Sequence, residues 1–184
     1  MLLAAVVGAA AAGLAGLGPL GDAVLEITLP LRHEDIIRQQ AADKDLDPAL
    51  VAAVIYEESR FRDQTSHAGA RGLMQITPET AEFIARDSGG TLFEQDDLAT
   101  PQVNISYGTY YLRYLLRKYD GDVDLAVAAY NAGETNVNRW IQRAGGPDGF
   151  DLDDIPFPET HEYVENVADR RGEYREHYAD ELGL

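Results

Sequence analysis

Glu58 closes a stretch that is otherwise apolar. Leu50, Val51, Val54 and Ile55 precede it at helical spacing, so its carboxyl stands one turn beyond Val54 and Ile55 and two turns beyond Val51. A carboxyl against apolar walls loses hydration for its charged form, and its pKa rises. At about 4.3 a Glu is roughly 0.2% protonated at pH 7, whereas at about 6 it is roughly 10% protonated, on the order of fifty times more acid. Such a group suits protonation of a leaving oxygen. Spacing alone does not separate Glu58 from Glu57, and an ordinary solvated carboxylate near a helix end is the alternative for both.

Other chemistries are poorly served. The chain has no cysteine, which removes disulfides, thiolate catalysis, Cys-ligated zinc and iron–sulfur clusters. His33, His67, His161 and His177 are scattered and form no HExxH-like pair. Asp120-Gly121-Asp122-Val123-Asp124 opens like a calcium loop, but Leu125 sits where the turn Gly is needed and Asn131 where the bidentate Glu belongs. That segment reads as a helix entry rich in capping Asp, and no metal or cofactor is expected. There is no Gly-rich phosphate cradle and no nucleophile elbow.

The elements that must position Glu58 read as helix after helix from about Pro30 onward. A first helix covers 34–42. Asp47-Pro48 is an N-cap and first-turn signal for the Glu58 helix, and Thr77-Pro78 and Thr100-Pro101 repeat the device. Asp122 or Asp124 caps a helix to Ala132, and Thr135 caps one through Val137, Trp140 and Ile141. Residues 145–158 form a Gly/Asp/Pro loop, and Thr160 to Tyr178 a closing helix. The fold class is all-α: roughly six or seven helices around one core.

Of the 184 residues 45% are apolar, which fits a single folded core. With 32 Asp and Glu against 15 Lys and Arg, the net charge of −17 argues against a nucleic-acid partner. Leu2 to Leu20 carry no charge and are mostly Ala, Gly, Leu and Val, which reads as an export signal or membrane anchor. Residues 1–24 are assigned to that segment and 25–184 to the helical domain. Export to the cell envelope or extracellular space is the expectation, with membrane association through residues 2–20 if the stretch is retained.

The wider pattern is specific. Glu58-Ser59-Arg60-Phe61, then Gly69-Ala70-Arg71-Gly72-Leu73-Met74-Gln75-Ile76-Thr77-Pro78, then Ala129-Tyr130-Asn131-Ala132-Gly133, then Ile155-Pro156-Phe157-Pro158-Glu159-Thr160 with Tyr163-Val164, occur in that order. In this the chain resembles the catalytic domain of the soluble lytic transglycosylases, peptidoglycan-cleaving enzymes of goose-type-lysozyme-like fold. The resemblance runs from about Pro30 to Tyr178 and implies a single helical domain with a deep glycan-binding groove. It selects Glu58 over Glu57 as the catalytic acid. It places Ser59 beside it, Met74 and Gln75 along the sugar groove, and Tyr130 and Asn131 near carboxyl and substrate. It also places Glu159 in the groove and Tyr163 against it. Asp63 stands where the family commonly has Pro, in a loop beside the groove.

The chemistry implied by the resemblance uses one carboxyl twice. Glu58 protonates the oxygen linking N-acetylmuramic acid to N-acetylglucosamine, and the substrate's 2-acetamido group stabilises the anomeric centre. The resulting carboxylate takes the proton of the muramoyl C6 hydroxyl and closes a 1,6-anhydro ring without consuming water. The partner is the peptidoglycan glycan strand, no cofactor is needed, and a monomer suffices. A hydrolytic muramidase is the alternative enzyme, and a wall-binding protein without turnover the alternative from another class.

Overall fold

The computed structural model describes residues 19–89 and 94–184. The chain divides into two units, Met1–Arg32 and His33–Leu184. In the first, a helix α1 spans Pro19–Thr28, which the sequence reading did not anticipate. The apolar stretch over residues 2–20 otherwise lies outside the described residues. No helix among the described residues is long and apolar enough to cross a membrane.

The second unit contains α2 (Glu34–Lys44), α3 (Pro48–Ser59), α4 (Pro78–Ser88), α5 (Pro101–Lys118), α6 (Val123–Ala132), α7 (Glu134–Ala144), α8 (Pro158–His177) and a single turn α9 (Ala179–Leu182). Among the described residues there is no strand, only isolated bridges joining Thr65 to Arg71 and Arg71 to Ile76. The all-α expectation therefore holds.

Helix α3 is the axis of this unit. Ala49 to Tyr56 are all buried, so the helix is covered on every side, as its unbroken apolar sequence requires. α8 packs along α3 and also against α6, while α5 bridges α2 and α6. Near the C-terminal end of α3, Tyr174 of α8 meets Tyr56 edge-on at 6.5 Å and Phe61 at 6.2 Å. At the other end Asp47 caps α3 by accepting from the Ala49 N–H at 3.0 Å, and it pairs with Arg171 at 2.5 Å and Arg175 at 3.0 Å. Burial would push the Asp47 carboxyl up, but the two α8 guanidiniums outweigh it and hold the group below the ordinary range. α8 thus grips α3 at both ends.

Several helix starts follow the sequence signals and others do not. Thr77 accepts from the Thr80 N–H, and Asp122 rather than Asp124 caps α6 through the Leu125 N–H. Thr100 makes no capping hydrogen bond, and Pro101 alone sets the start of α5. Thr135 lies inside the first turn of α7, because the chain reverses two residues earlier at Gly133, whose φ of 83° suits a residue without Cβ. α8 begins two residues before Thr160, again at a proline.

Candidate active site

Glu58 lies in the last turn of α3, and the chain then leaves the helix through two consecutive non-glycine residues with positive φ, Arg60 at 51° and Phe61 at 59°. Such conformations cost of order 1–3 kcal/mol each and persist only where packing enforces them. Here the burial of Phe61 beneath Tyr174 does so. The turn directs the following loop back across the end of α3.

Glu58 lines a cleft of about 360 Å³ together with Glu57, Asn131, Glu159, Glu162, Tyr163 and Asn166. The Tyr163 hydroxyl, on α8, donates to Glu58 Oε1 at 2.7 Å. The carboxyl is pushed up from 4.5 to about 7. Burial is the main cause, the neighbouring Glu57 charge adds to it, and the Tyr163 hydrogen bond pulls the other way. Tyr130 on α6 feels the same carboxylate, and burial and that charge both push its phenol well up. With Oε1 occupied by Tyr163, Oε2 is the oxygen left to face a substrate.

A second cavity of about 590 Å³ lies on the other side of Asn131, which borders both. Tyr111, Tyr130 and Phe83 give it aromatic walls, with ring centroids 5.5 Å apart for Tyr111 and Tyr130 and 6.2 Å for Phe83 and Tyr111. Asn131 Oδ1 accepts from the Thr160 hydroxyl at 2.7 Å, so its orientation is fixed and its Nδ2 protons remain for a ligand. Glu159 is exposed at the cleft mouth. Of the residues expected at the site, Glu58, Tyr130, Asn131, Glu159 and Tyr163 are therefore brought together along these two hollows.

The other three do different work. Ser59 is 5% exposed, and its hydroxyl lies 2.7 Å from the Leu73 carbonyl and 3.1 Å from the Ile55 carbonyl, so it fastens the loop to α3 rather than facing the cleft. The Met74 side chain is fully buried against Gly108, where a Cβ would fall 2.3 Å from the sulfur. Its backbone serves the site instead, since its carbonyl accepts from the Tyr130 hydroxyl at 2.9 Å. Gln75, at a φ of 47°, donates its amide to Gly72 and Gln64 carbonyls and lines neither hollow.

Asn104 is a structural residue the sequence reading missed. It is 1% exposed on α5, accepts from the Met74 N–H at 2.8 Å, and donates to the Arg71 and Leu98 carbonyls at 2.9 and 3.0 Å. Gly72 permits this approach, because a Cβ there would meet Asn104 Nδ2 at 2.1 Å. The available signal was a polar residue inside the apolar stripe Ile105, Gly108, Leu112 and Leu115. Among the described residues no group of His, Asp or Glu is arranged to hold a metal ion.

A helical domain of lysozyme-like fold, with one proton-retaining carboxyl at the head of a divided groove, defines the class. Residues 35–152 match the Transglycosylase SLT domain, more than half of the chain, and the protein belongs to that family. The soluble lytic murein transglycosylase of Salmonella typhimurium is 34% identical over 160 residues, covering 82% of this chain and 24% of its own length. The membrane-bound lytic murein transglycosylase C of Glaesserella parasuis is 31% identical over 139 residues, 65% of this chain and 38% of its own. Among solved structures, the 70 kDa soluble lytic transglycosylase of Escherichia coli superposes with a TM-score of 0.77 at 31% identity, over 85% of this chain and 26% of that one. An inactive mutant of the lytic transglycosylase Slt from Pseudomonas aeruginosa gives 0.76 at 34% identity, over 83% and 25%. The chain thus spans about a quarter of the soluble relatives it matches.

Proposed function

We propose that this chain cleaves peptidoglycan glycan strands as a lytic transglycosylase, with Glu58 as the acid and then the base. The observation that carries the proposal is the Glu58 carboxyl itself, pushed to about 7 and fixed through Oε1 by Tyr163 at 2.7 Å. At pH 7 such a group is about half protonated, whereas an ordinary Glu is roughly 0.2% protonated, a difference on the order of a few hundredfold in available acid. Oε2 donates its proton to the glycosidic oxygen. The carboxylate left behind then accepts the C6 hydroxyl proton as that oxygen bonds to the anomeric carbon. One bond breaks, one forms, and the proton count on Glu58 returns to its start. A carboxyl titrating near the working pH suits both half-steps.

The divided groove gives the strand room on both sides of the acid. Asn131 offers its amide protons at the dividing point, and Glu159 offers an acceptor at the cleft mouth. The walls of Tyr111, Tyr130 and Phe83 provide apolar faces for sugar rings. Residues 1–24 are proposed as the export signal or anchor that brings residues 25–184 to the cell envelope, where the substrate lies.

The test is mass spectrometry of products from purified peptidoglycan digested with wild type and with Glu58→Gln. Anhydro-terminated fragments, lighter by one water than reducing ones, are expected from wild type and none from E58Q. Reducing products would make the chain a hydrolytic muramidase. Cleavage by E58Q would remove Glu58 from the mechanism, and no cleavage by wild type would favour a wall-binding role.

A further inference from the structure

Glu57 precedes the acid, and a helix turns its side chain about 100° from that of Glu58. Both carboxyls nevertheless line the same cleft. α8 accounts for this. Glu57 Oε1 lies 3.5 Å from Arg170 Nε, and Oε2 accepts from Asn166 Nδ2 at 3.5 Å. The side chains of Glu57 and Arg170 are only 15% and 19% exposed. Arg170 is itself held, paired with Glu173 at 2.5 Å and stacked 4.7 Å over the Tyr56 ring. Arg170 acts on Glu57 first as a charge, with hydrogen bonding a smaller contribution.

The charges around Glu58 are few enough to name. α3 contributes Glu57, and Arg60 beyond its end acts on Glu57. α8 contributes Glu159 and Glu162 at the exposed rim, Tyr163 and Asn166 as neutral groups, and Arg170 behind Glu57. α6 contributes the neutral Tyr130 and Asn131. Glu57 is the partly buried anion of this set.

We propose that Glu57 is a positioning residue for the acid: held against α8 by Arg170 and Asn166, its negative charge keeps the proton on Glu58, while Arg170 keeps Glu57 ionised. The proposal rests on Glu58 being the catalytic group. Two carboxyls in one cleft titrate as a coupled pair, and a charge on one disfavours a charge on the other. Burial pushes Glu57 up as well, and the Arg170 and Arg60 cations oppose that rise. Without Arg170, Glu57 would hold its proton to higher pH. Without the Glu57 charge, Glu58 would lose its proton at lower pH.

The test uses Glu57→Gln, Arg170→Gln and the double variant in the full chain. Two readouts are compared: the pH profile of kcat/KM on solubilised glycan strands, which reports the free enzyme, and a carbon NMR titration of the Glu58 carboxyl without substrate. In E57Q the Glu58 midpoint should fall by about 0.5–1 pH unit, lowering the protonated fraction at pH 7 roughly two- to fivefold. The rate at pH 7 should fall by the same factor and recover as the pH is lowered. R170Q should let Glu57 hold its proton to higher pH and so move the Glu58 midpoint downward too, by no more than E57Q does, and the double variant should match E57Q. An unmoved Glu58 midpoint in E57Q, or an upward shift in R170Q, would overturn the proposal. A rate loss in E57Q with no change of midpoint would also overturn it and leave the pair a packing role. The NMR titration needs no turnover. If the midpoints shift as expected while E58Q remains active, the coupling stands and the assignment of Glu58 as catalyst fails.

Discussion

Replacing Glu58 by Gln should stabilise the fold, by an amount that depends on pH. In the unfolded chain the carboxyl titrates at its ordinary 4.5, and in the cleft at about 7. Between those values the folded state binds more protons than the unfolded state, so stability falls as pH rises. Below 4.5 the carboxyl is neutral in both states and costs nothing. Above about 7 the full cost of holding a buried charge is present. Each pH unit is worth about 1.4 kcal/mol, so the displacement from 4.5 to about 7 bounds that cost near 3 kcal/mol. Glu58 keeps some exposure on the cleft side, and solvent screening there reduces the expectation to about 2 kcal/mol. The substituted amide has nearly the same volume, cannot ionise, and still offers an oxygen to the Tyr163 hydroxyl. Wild type and E58Q should therefore unfold alike near pH 4. At pH 8 the variant should melt higher by about 4–8 °C, taking about 2–4 °C per kcal/mol for a chain of this size. The assay is thermal and urea unfolding of both proteins from pH 4 to 8.5 at constant ionic strength. A stability difference that does not grow between pH 4.5 and pH 8 would refute the reasoning, since only a proton held more tightly in the folded state makes it grow.

Tyr163→Phe removes the donor that favours the charged form of Glu58, so the alkaline limb of the rate profile should move above about 7 and kcat should fall severalfold; a profile with an unchanged midpoint would count against this role. Asn104→Ala removes the acceptor of the Met74 N–H and the donor to the Arg71 and Leu98 carbonyls, of which Arg71 keeps the Ile76 N–H, and should cost about 2–4 kcal/mol in urea unfolding. A loss below about 1 kcal/mol would mean the loop is held by other contacts. The net charge of −17, with Lys44 and Lys118 the only lysines, predicts repulsion from the carboxylates of stem peptides. Cleavage of insoluble wall should therefore rise with NaCl as the Debye length shrinks from about 30 Å at 0.01 M to about 8 Å at 0.15 M. A rate that falls steadily from low salt would contradict it.

Much of α3 was legible because its signals are local. Asp47-Pro48 fixes its start, and a run from Ala49 to Ile55 with no polar residue fixes its burial. Burial at the helix end was enough to expect a raised carboxyl, but choosing Glu58 over Glu57 required the family pattern. The choice is set by what packs against the helix: Tyr163, 105 residues away, meets one carboxyl, while Asn166 and Arg170 meet the other. Ser59, Met74 and Gln75 are expected at the groove because they sit within the motifs, yet Ser59 and Gln75 spend their side chains on loop carbonyls and Met74 buries its own against α5. A motif marks where the backbone must pass and does not say which side chains face the ligand. The true start of α7 was missed for a simpler reason: it carries no side-chain cap to announce it.

The acid also benefits from standing at the C-terminal end of its helix. The exposed carbonyls there carry partial negative charge and disfavour a carboxylate, whereas the N-terminal end favours one. The chain uses both ends of α3 accordingly. Asp47 at the start is ionised, capping the helix and paired with two arginines, while Glu58 at the finish is pushed toward its neutral form. α8 supplies the partner at each place: Arg171 and Arg175 for the anion, Tyr163 for the acid.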